Sequence, residues 1–325
     1  MKTFQVSCTG GSLHISKLIF GTTYLGNMDH PEEGYRQMDR YLELGGNCID
    51  TARVYSNLAP EDKRPSEEVI GDWMRHSGIR RQVILSTKGG HPPYGKMKES
   101  RLNAKELEYD LSQSLTALNT DYVDLYWLHR DHPDCCLPEV METLHSFVKQ
   151  GMVKTIGASN WSFERIKEAN QYAVEHGLTP FTSSQIQWSL ATTTPESLHD
   201  DTLVCVNEQN YAQYLTQGMP LFAFNAQAKG LFSKLAEGEQ ALTPKIKTRF
   251  LGEENREINL RKWEKVQQLC KKYGVSPAVI SLAYITCNPL TAGAIIGCST
   301  LAQLEDSMGA ADFELTPEEI NWLGE

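Results

Sequence analysis

The chain has 325 residues, with 41 acidic and 31 basic side chains and a formal net charge of −10. This acidic balance argues against a nucleic-acid partner or an anionic membrane surface, because either would need a basic face to hold phosphates. The length admits one large barrel or two ordinary domains, and 40% apolar residues provide for a large core. The same composition excludes disorder, a collagen-like repeat and a coiled coil.

The first residues are not followed by an apolar stretch, and no segment approaches the roughly 18 apolar residues of a membrane helix. Eight cysteines are scattered along the chain without a C-x-x-C pair or another spacing typical of metal ligands. In a long chain without an export signal, such thiols are expected to be reduced. These observations predict a cytoplasmic protein that binds no metal and does not enter a membrane.

In chain order, the predicted elements begin with a hairpin over residues 4–15 that turns at Gly10 and Gly11. Short apolar runs of the kind buried on both faces then alternate with helical patterns. The predicted strands are Leu18–Thr22, Asn47–Thr51, Val83–Lys88, Tyr122–His129, Thr155–Asn160, Ser183–Gln187, Leu221–Asn225 and Ala292–Gly297. The main helices are predicted at 31–44, from 66, from 103, and at 138–150, 162–176, 207–216, 261–273, 276–287, 301–308 and 316–323.

Eight strands that are each followed by a helix predict an α/β protein with a (β/α)8 TIM barrel and a short N-terminal hairpin. A doubly wound sheet is the competing architecture. It is disfavoured because no early strand is followed by the G-x-G-x-x-G turn that such nucleotide-binding sheets commonly carry. Since no linker or shift in composition interrupts the pattern, residues 1–325 are predicted to form a single domain.

Two connections are unusually long for this pattern. Residues 234–259 form a polar excursion after the seventh strand, which we interpret as a flap over the active face or as a solvated loop. Residues 88–100 follow the third strand and are rich in glycine and proline. Both would lie at the same end of a barrel, where they would line a cleft.

The carboxyl ends of the predicted strands carry polar residues, which a barrel directs toward its active face. Asp50 follows the second strand, with Tyr55 in the loop after it; Lys88 ends the third strand and His129 the fourth. A lysine cation stabilises a neighbouring phenolate, an aspartate holds that lysine, and a neutral histidine orients a carbonyl oxygen. This set suits hydride transfer to an aldehyde or ketone with protonation of its oxygen.

Each of these residues also has an ordinary structural interpretation. An aspartate can cap a strand end, and a loop tyrosine can pack over the rim of the core. Lys88 and His129 are harder to explain in this way because both end apolar runs, and a buried ammonium without an acidic partner is costly. Four such residues on three consecutive strand ends favour a catalytic site.

With these residues in place, the sequence resembles the aldo-keto reductase family over nearly its whole length. The motifs that carry the resemblance occur in the family's order. They are Asn47–Tyr55, Ser86–Gly89, Asp121–His129, Gly151–Trp161, Phe222–Gly230 and Ala294–Ser299. The resemblance implies a (β/α)8 barrel that binds NADPH or NADH without a Rossmann domain.

Residue by residue, the resemblance implies that Tyr55 is the proton donor, that Lys88 and Asp50 tune it, and that His129 orients the carbonyl. It also implies cofactor contacts at several strand ends. Ser159, Asn160 and Gln185 would hold the nicotinamide carboxamide, and Phe224 would stack on the ring where the family usually has a tyrosine. The remaining cofactor contacts that it implies are Thr22, Asn225, Gln227, Gly297, Ser299, Gln303 and Asp306.

The sequence departs from the family at the phosphate end of the cofactor. Gln303 stands where an arginine is frequent, and Asp306 belongs to an Asp-Ser pair where the family has Glu-Asn. A neutral amide cannot make the charge-assisted contact that a 2′-phosphate attracts. NADPH is expected to bind more tightly than NADH by a small margin, with NADH as the alternative. Lys229 or the excursion at 234–259 could supply the missing charge.

The expected partner is a small-molecule carbonyl substrate, and the sequence assigns no oligomeric state. Arg130, Asp131 and His132 make the mouth polar, which suits a hydroxylated or sugar-like carbonyl better than a steroid. An aromatic rim could be formed by Tyr24, Tyr94, Trp127 and Trp188. Two other functions stay open: an NADPH-binding regulatory protein without catalysis, and an isomerase or aldolase that uses Lys88 as a Schiff-base amine.

Overall fold

The first element of the fold is a two-stranded antiparallel hairpin of β1 (Thr3–Cys8) and β2 (Gly11–Ser16). The computed structural model describes residues 1–25, 31–55 and 64–325. Phe4 and Val6 are buried while the residues beside them are exposed, so the hairpin has one apolar face. The predicted hairpin is confirmed.

Eight parallel strands form a closed barrel in which each strand pairs with the next along the chain and the last returns to the first. The strands are β3 (Leu18–Gly21), β4 (Cys48–Asp50), β5 (Ile84–Gly89), β6 (Val123–Leu128), β7 (Val153–Ser159), β8 (Ser184–Gln187), β9 (Leu221–Phe224) and β10 (Ala292–Ile296). Each coincides with a predicted strand to within a few residues at its ends. The prediction of a (β/α)8 barrel is confirmed.

Helices surround this barrel and cover the outward side chains of its strands. They are α1 (Pro31–Glu43), α2 (Ser66–Ser77), α3 (Ala104–Ala117), α4 (Leu137–Lys149), α5 (Phe163–Glu175), α6 (Pro195–Leu198), α7 (Glu208–Gln217), α8 (Leu231–Glu237), α9 (Pro244–Leu251), α10 (Arg256–Tyr273), α11 (Pro277–Thr286), α12 (Leu301–Met308) and α13 (Pro317–Gly324). Within the described ranges, no helix has both the length and the apolar character needed to cross a membrane.

The start signals of the helices act as the sequence indicates. Asn103 accepts a hydrogen bond from the backbone N–H of Glu106 at 3.1 Å and so begins α3. Thr316 and Glu319 form a reciprocal capping box at the start of α13. These local bonds satisfy backbone donors that the first helical turn leaves without an acceptor.

The segment 234–259 is mostly helical, so the alternative interpretation as a solvated loop is wrong, while a flap over the active face stays a prediction. It contains the end of α8, the whole of α9 and the start of α10, which begins at Arg256 rather than at the predicted Arg261. Ile246 and Phe250 on α9 are buried in an apolar cluster with residues of α10 and α11. These two side chains are four residues apart and form the apolar face of α9. The polar residues around them made this face hard to recognise in the sequence.

The barrel interior is divided into an apolar layer and a polar layer. The hairpin packs against the apolar layer, where Phe4 meets Phe222 with ring centroids 5.2 Å apart. Cys48 on β4 belongs to the apolar layer, and Asp50, two residues later, lies on the same face of the strand. Every second side chain of a strand points inward, so the polar residues that end the strands also face the interior. The polar layer therefore lies at the carboxyl end of the barrel, opposite the hairpin.

Lys262 on α10 forms hydrogen bonds to the segment that follows β8. Its side chain is buried, and its ammonium donates to the Leu190 carbonyl oxygen at 3.1 Å and to the Thr192 hydroxyl oxygen at 3.0 Å. Both acceptors are uncharged. Burial therefore lowers the pKa of Lys262 to about 8 from an ordinary value of 10.5.

The buried ammonium of Lys262 should make stability rise with pH. Between pH 8 and 10.5 the unfolded chain holds this proton more tightly than the folded chain, so raising the pH favours folding. Over this window, denaturant unfolding should show the free energy of unfolding of the wild type rising by roughly 1–3 kcal/mol relative to Lys262→Met. Parallel pH profiles of the two proteins would contradict this assignment.

Candidate active site

A buried ion pair lies in the polar layer at the carboxyl end of the barrel. The Nζ atom of Lys88 lies 2.6 Å from Oδ2 of Asp50, and their side chains are 1% and 3% exposed. The ammonium also donates to the Thr51 carbonyl oxygen at 2.7 Å and to the Tyr55 hydroxyl oxygen at 3.2 Å. Burial alone would lower the pKa of Lys88, but Asp50 and Tyr55 raise it above its ordinary value. Lys88 is therefore an ammonium ion with all its donors engaged.

Asp50 is held from several sides. Its Oδ1 accepts hydrogen bonds from Ser86 Oγ at 2.7 Å and from Gln185 Nε2 at 3.1 Å. The register of β4 and β5 pairs Asp50 with Ser86, which brings the hydroxyl to the carboxylate. The backbone N–H and the hydroxyl of Thr22 both donate to the Asp50 carbonyl oxygen. Gln185 and Thr22, which the sequence predicts to contact a cofactor, position the aspartate in this structure.

Two neutral histidines lie beside the tyrosine. The rings of Tyr55 and His129 meet edge to face with centroids 5.8 Å apart, and the His91 ring lies 4.7 Å from that of His129. Burial lowers the pKa of His129 well below its ordinary value, and positive charges around it lower it further. Burial also lowers the pKa of His91 to about 4. Both imidazoles are therefore uncharged near neutral pH.

The three polar residues of the predicted mouth bond to other elements, and the backbone N–H of His132 also donates to Asp131 Oδ1 at 2.8 Å. The pairs are Arg130 with Asp200 at 3.1 Å, Asp131 with Arg165 at 3.2 Å, and the His132 ring with the Lys98 carbonyl oxygen at 2.9 Å. Of the four side chains in these two ion pairs, that of Arg130 is the least exposed, at 11%. Tyr55 interacts with it electrostatically. The mouth therefore contains two ion pairs, each of which has no net charge.

The four aromatic candidates for a rim divide into two groups. Tyr24 and Tyr94 are more than half exposed, as rim residues should be. Trp127 is fully buried in the apolar layer, with its ring edge to face against that of Phe222, and Trp188 is also buried. Both tryptophans belong to the core, because Trp127 on β6 packs against Phe222 and Trp188, which follows β8, packs against Tyr211 and Tyr284.

The residues predicted to hold a carboxamide group lie at adjoining strand ends. Ser159 pairs with Gln185 in the register of β7 and β8. The amide nitrogen of Asn160 donates to Ser159 Oγ at 3.1 Å and to the His129 carbonyl oxygen at 3.2 Å. Asn160 has a φ of 57°, a left-handed conformation that asparagine tolerates better than most residues. Phe224 ends the next strand and is half-buried.

The segment that follows β9 is linked to α12 by a side-chain hydrogen bond. Asn225 turns the chain with a φ of 56°, and both it and Gln227 are half-buried. The amide nitrogen of Gln227 donates to the Ser307 hydroxyl oxygen at 2.9 Å. This bond joins two regions that are distant in the sequence but carry predicted cofactor contacts.

The start of α12 is open to solvent. Gly297 is exposed, and no atom lies within 4 Å of the position that a Cβ would take. The side-chain oxygen of Gln303 accepts the backbone N–H of Ser299 at 2.8 Å, and Asp306 is exposed further along the helix. The neutral Gln303 thus serves as a local cap and brings no charge to this end.

Basic residues approach the site from the β9 side. The ammonium of Lys229 donates to the Tyr24 hydroxyl oxygen at 3.3 Å and lies 5.3 Å from the ring centroid. Lys229 lowers the pKa of Tyr24, and Lys245 and Arg249 on α9 add to this effect. These cations are candidates for the charge that is missing at Gln303.

Three residues of this site were not singled out from the sequence. Ser86 could have been found, because it lies two residues before Lys88 on the same face of β5. His91 and Asp200 lie in connections without a repeating pattern. Only the tertiary fold brings His91 against His129 and Asp200 against Arg130.

Comparison with known proteins identifies relatives of this chain. The model of the aldo/keto reductase family matches residues 17–325. A Saccharomyces cerevisiae protein that carries the name of an aryl-alcohol dehydrogenase is 30% identical over 98% of this chain and 84% of its own length. A norsolorinic acid reductase of Emericella nidulans is 29% identical over 95% of this chain and 77% of its own. An aryl-alcohol dehydrogenase of Phanerodontia chrysosporium, named for NADP(+), is 27% identical over 97% and 83% respectively.

The energetic coupling of Lys88 and Asp50 can be measured with a double-mutant cycle. Lys88→Met and Asp50→Asn should each lower the free energy of unfolding by about 3–5 kcal/mol, because each leaves a buried charge without its partner. The double variant should lose less than the sum by about 1–3 kcal/mol. Denaturant unfolding gives all four values. The same cycle on the exposed pair of Arg36 and Glu33 should show coupling close to zero, and additive losses at Lys88 and Asp50 would contradict the prediction.

Proposed function

Because the chain belongs to the aldo/keto reductase family, we propose that it uses NADPH, or NADH less favourably, to reduce an aldehyde or ketone to an alcohol. One observation carries the proposal: the Tyr55 hydroxyl oxygen lies 3.2 Å from a buried ammonium that Asp50 holds from the other side. A bound nicotinamide cofactor would supply the hydride that the carbonyl carbon takes up. Relatives named as aryl-alcohol dehydrogenases and as a norsolorinic acid reductase support this reaction class.

Tyr55 is the proton donor in this proposal. Its O–H donates the proton to the carbonyl oxygen, which becomes the hydroxyl of the alcohol. The ammonium of Lys88 stabilises the negative charge that the phenol oxygen then carries. Asp50 keeps Lys88 charged and fixed, so the ammonium does not have to be reoriented during the reaction.

His129 orients the carbonyl in this proposal. A neutral imidazole can donate one ring N–H to the carbonyl oxygen without bringing a second positive charge beside Lys88. Burial keeps the pKa of His129 low enough for the neutral form to predominate near neutral pH. The ring lies against Tyr55, so a carbonyl oxygen at the tyrosine would also be within its range.

The residues around the site fit a nicotinamide cofactor. The hydroxyl of Ser159 and the amides of Asn160 and Gln185 offer donors and acceptors that match a carboxamide. The half-buried ring of Phe224 offers a face for stacking. The open space beside Gly297 precedes the first turn of α12, where helix N–H groups favour an anion such as a diphosphate.

We also propose that the chain is a single domain that acts in the cytoplasm on a small carbonyl compound. The apolar clusters extend from the hairpin to α13, which supports one domain. All eight cysteines are free thiols, which supports a reducing compartment.

An aldolase-type reaction through Lys88 is disfavoured. A Schiff base forms from a neutral amine, and the Lys88 ammonium is held by Asp50 and two further acceptors. The regulatory alternative differs from the proposal in its outcome, since it requires NADPH binding without turnover of any carbonyl compound.

Tyr55→Phe tests the proton donor. We expect kcat for an aldehyde to fall by about 10²–10⁴-fold because the carbonyl oxygen loses its acid. The Kd of NADPH, measured by fluorescence titration, should stay within about twofold since the ring remains in place. Tyr109→Phe is the matched control, because it removes the hydroxyl of an exposed tyrosine on α3, outside the site, and should leave kcat unchanged. An unchanged kcat in Tyr55→Phe would show that Tyr55 is not the donor.

Gln303→Arg tests the phosphate end. The wild type should bind NADPH more tightly than NADH by a small margin. The arginine should lower the Kd of NADPH by about tenfold and leave that of NADH nearly unchanged, because only NADPH carries the 2′-phosphate. Gln303→Met is the control, since it removes the cap on Ser299 without adding charge. Equal gains for both cofactors would contradict a 2′-phosphate site here.

A further inference from the structure

Tyr55 lies in a connection between elements rather than on a strand or a helix. It follows the end of β4 and precedes α2, and its backbone N–H closes a turn onto the Ala52 carbonyl oxygen at 3.0 Å. The proposed reaction needs the Tyr55 hydroxyl oxygen at a fixed place beside the Lys88 ammonium. Contacts from other parts of the chain must therefore hold this connection against the barrel.

Ser66, the first residue of α2, makes such contacts. Its backbone N–H donates to the Tyr55 carbonyl oxygen at 3.1 Å. Its hydroxyl donates to the Thr22 carbonyl oxygen at 3.0 Å and lies 3.1 Å from the Thr51 hydroxyl oxygen. Because Thr22 follows β3 and Thr51 follows β4, one serine joins both connections to the start of the helix.

The directions of these hydrogen bonds follow from the number of protons. The Ser66 hydroxyl has a single proton, which it donates to the Thr22 carbonyl oxygen, so the Thr51 hydroxyl must donate to Ser66 Oγ. Ser66 and Thr51 are fully buried, and Thr22 is only 1% exposed. Bulk water does not reach these groups, so removing the Ser66 hydroxyl would leave a buried donor and a buried acceptor without their partner.

The two residues that bond to the Ser66 hydroxyl also contact the buried ion pair. The Thr51 carbonyl oxygen accepts from the Lys88 ammonium at 2.7 Å. The backbone N–H and the hydroxyl of Thr22 donate to the Asp50 carbonyl oxygen at 3.1 and 2.9 Å. The Ser66 hydroxyl is thus linked through one residue to each member of the pair.

The ordinary role of a serine at the start of a helix does not account for these bonds. A capping serine accepts a backbone N–H of the first helical turn through its side-chain oxygen. At the start of α2, Pro65 holds the capping position, and the bonds described for the Ser66 side chain both lead out of the helix. Since Ser66 is fully buried, it does not touch a substrate either.

We propose that Ser66 is a positioning residue for the proton donor. Its hydroxyl ties the connections after β3 and β4 together, and its backbone N–H holds Tyr55, so the phenol stays in place relative to Lys88. This inference rests on the proposed carbonyl reduction and adds to it a residue that acts only through Tyr55.

Ser66→Ala tests this role with an aldehyde at saturating NADPH. We expect kcat to fall by about 10–100-fold, because a displaced proton donor is less often in a productive position. The Kd of NADPH, measured by fluorescence titration, should stay within about twofold, since the serine does not reach the proposed cofactor site. Thermal melting shows whether the variant is folded.

Ser16→Ala is the matched control. Ser16 is also fully buried, and its hydroxyl also donates to a carbonyl oxygen, that of Leu18 at 2.8 Å, and lies 2.9 Å from the Tyr41 hydroxyl oxygen. It belongs to the hairpin, at the opposite end of the barrel. Ser16→Ala should therefore lose stability as Ser66→Ala does but keep the kcat of the wild type.

A double variant shows whether the effect passes through Tyr55. If it does, adding Ser66→Ala to Tyr55→Phe should change the residual kcat by less than about twofold, because the hydroxyl that Ser66 positions is already absent. If Ser66→Ala does not fold, Thr51→Val carries both measurements. It keeps the shape of the side chain and removes the hydroxyl that donates to Ser66.

Equal kcat values in Ser66→Ala and Ser16→Ala would overturn the positioning role. A loss in the Tyr55→Phe background as large as that in the wild type would overturn it as well, because Ser66 would then act by another route. Failure of the proposed function has a different signature, since Tyr55→Phe alone would then keep the kcat of the wild type.

Discussion

The rest of the site depends on one buried charge pair. An ammonium and a carboxylate lose their hydration in the barrel interior, and their attraction offsets this loss only when their other hydrogen bonds are also satisfied. Asp50 meets this condition through Ser86 and Gln185, and Lys88 through Thr51 and Tyr55. The hydroxyl oxygen of Tyr55 therefore helps to stabilise the buried ammonium of Lys88, in addition to its part in the proposed reaction.

The closed barrel makes this arrangement possible because it separates apolar from polar side chains along each strand. Near the hairpin, inward positions such as Cys48 and Trp127 fill the interior. Two residues later on the same faces come Asp50 and His129. The packed apolar layer thus lies directly beneath the charged layer, and it excludes water from the hairpin end of the barrel.

Most of the fold follows from local patterns in the sequence, and part of the site follows from the fold. Strand ends are visible as the limits of apolar runs, so Asp50, Lys88 and His129 could be predicted. Tyr55, in the loop after β4, was found with the same set, and the resemblance then agreed with its role as proton donor. His91 and Asp200 could not be found, because their positions depend on loops whose conformation no periodicity encodes. The helix α9 was missed because its apolar residues are few and lie among lysines.

The hairpin covers the apolar layer at the amino-terminal end of the barrel, so the interior is closed at that end and does not form a channel. A ligand therefore reaches Tyr55 from the carboxyl end of the barrel, where the connection after β5 carries His91 and Tyr94, and its product leaves by the same opening. Every hydrogen bond that captures a molecule on the way in also delays its departure. Loops that bind their ligand tightly would thus slow the release of product. Stronger discrimination between ligands at this opening would therefore come with a lower turnover rate.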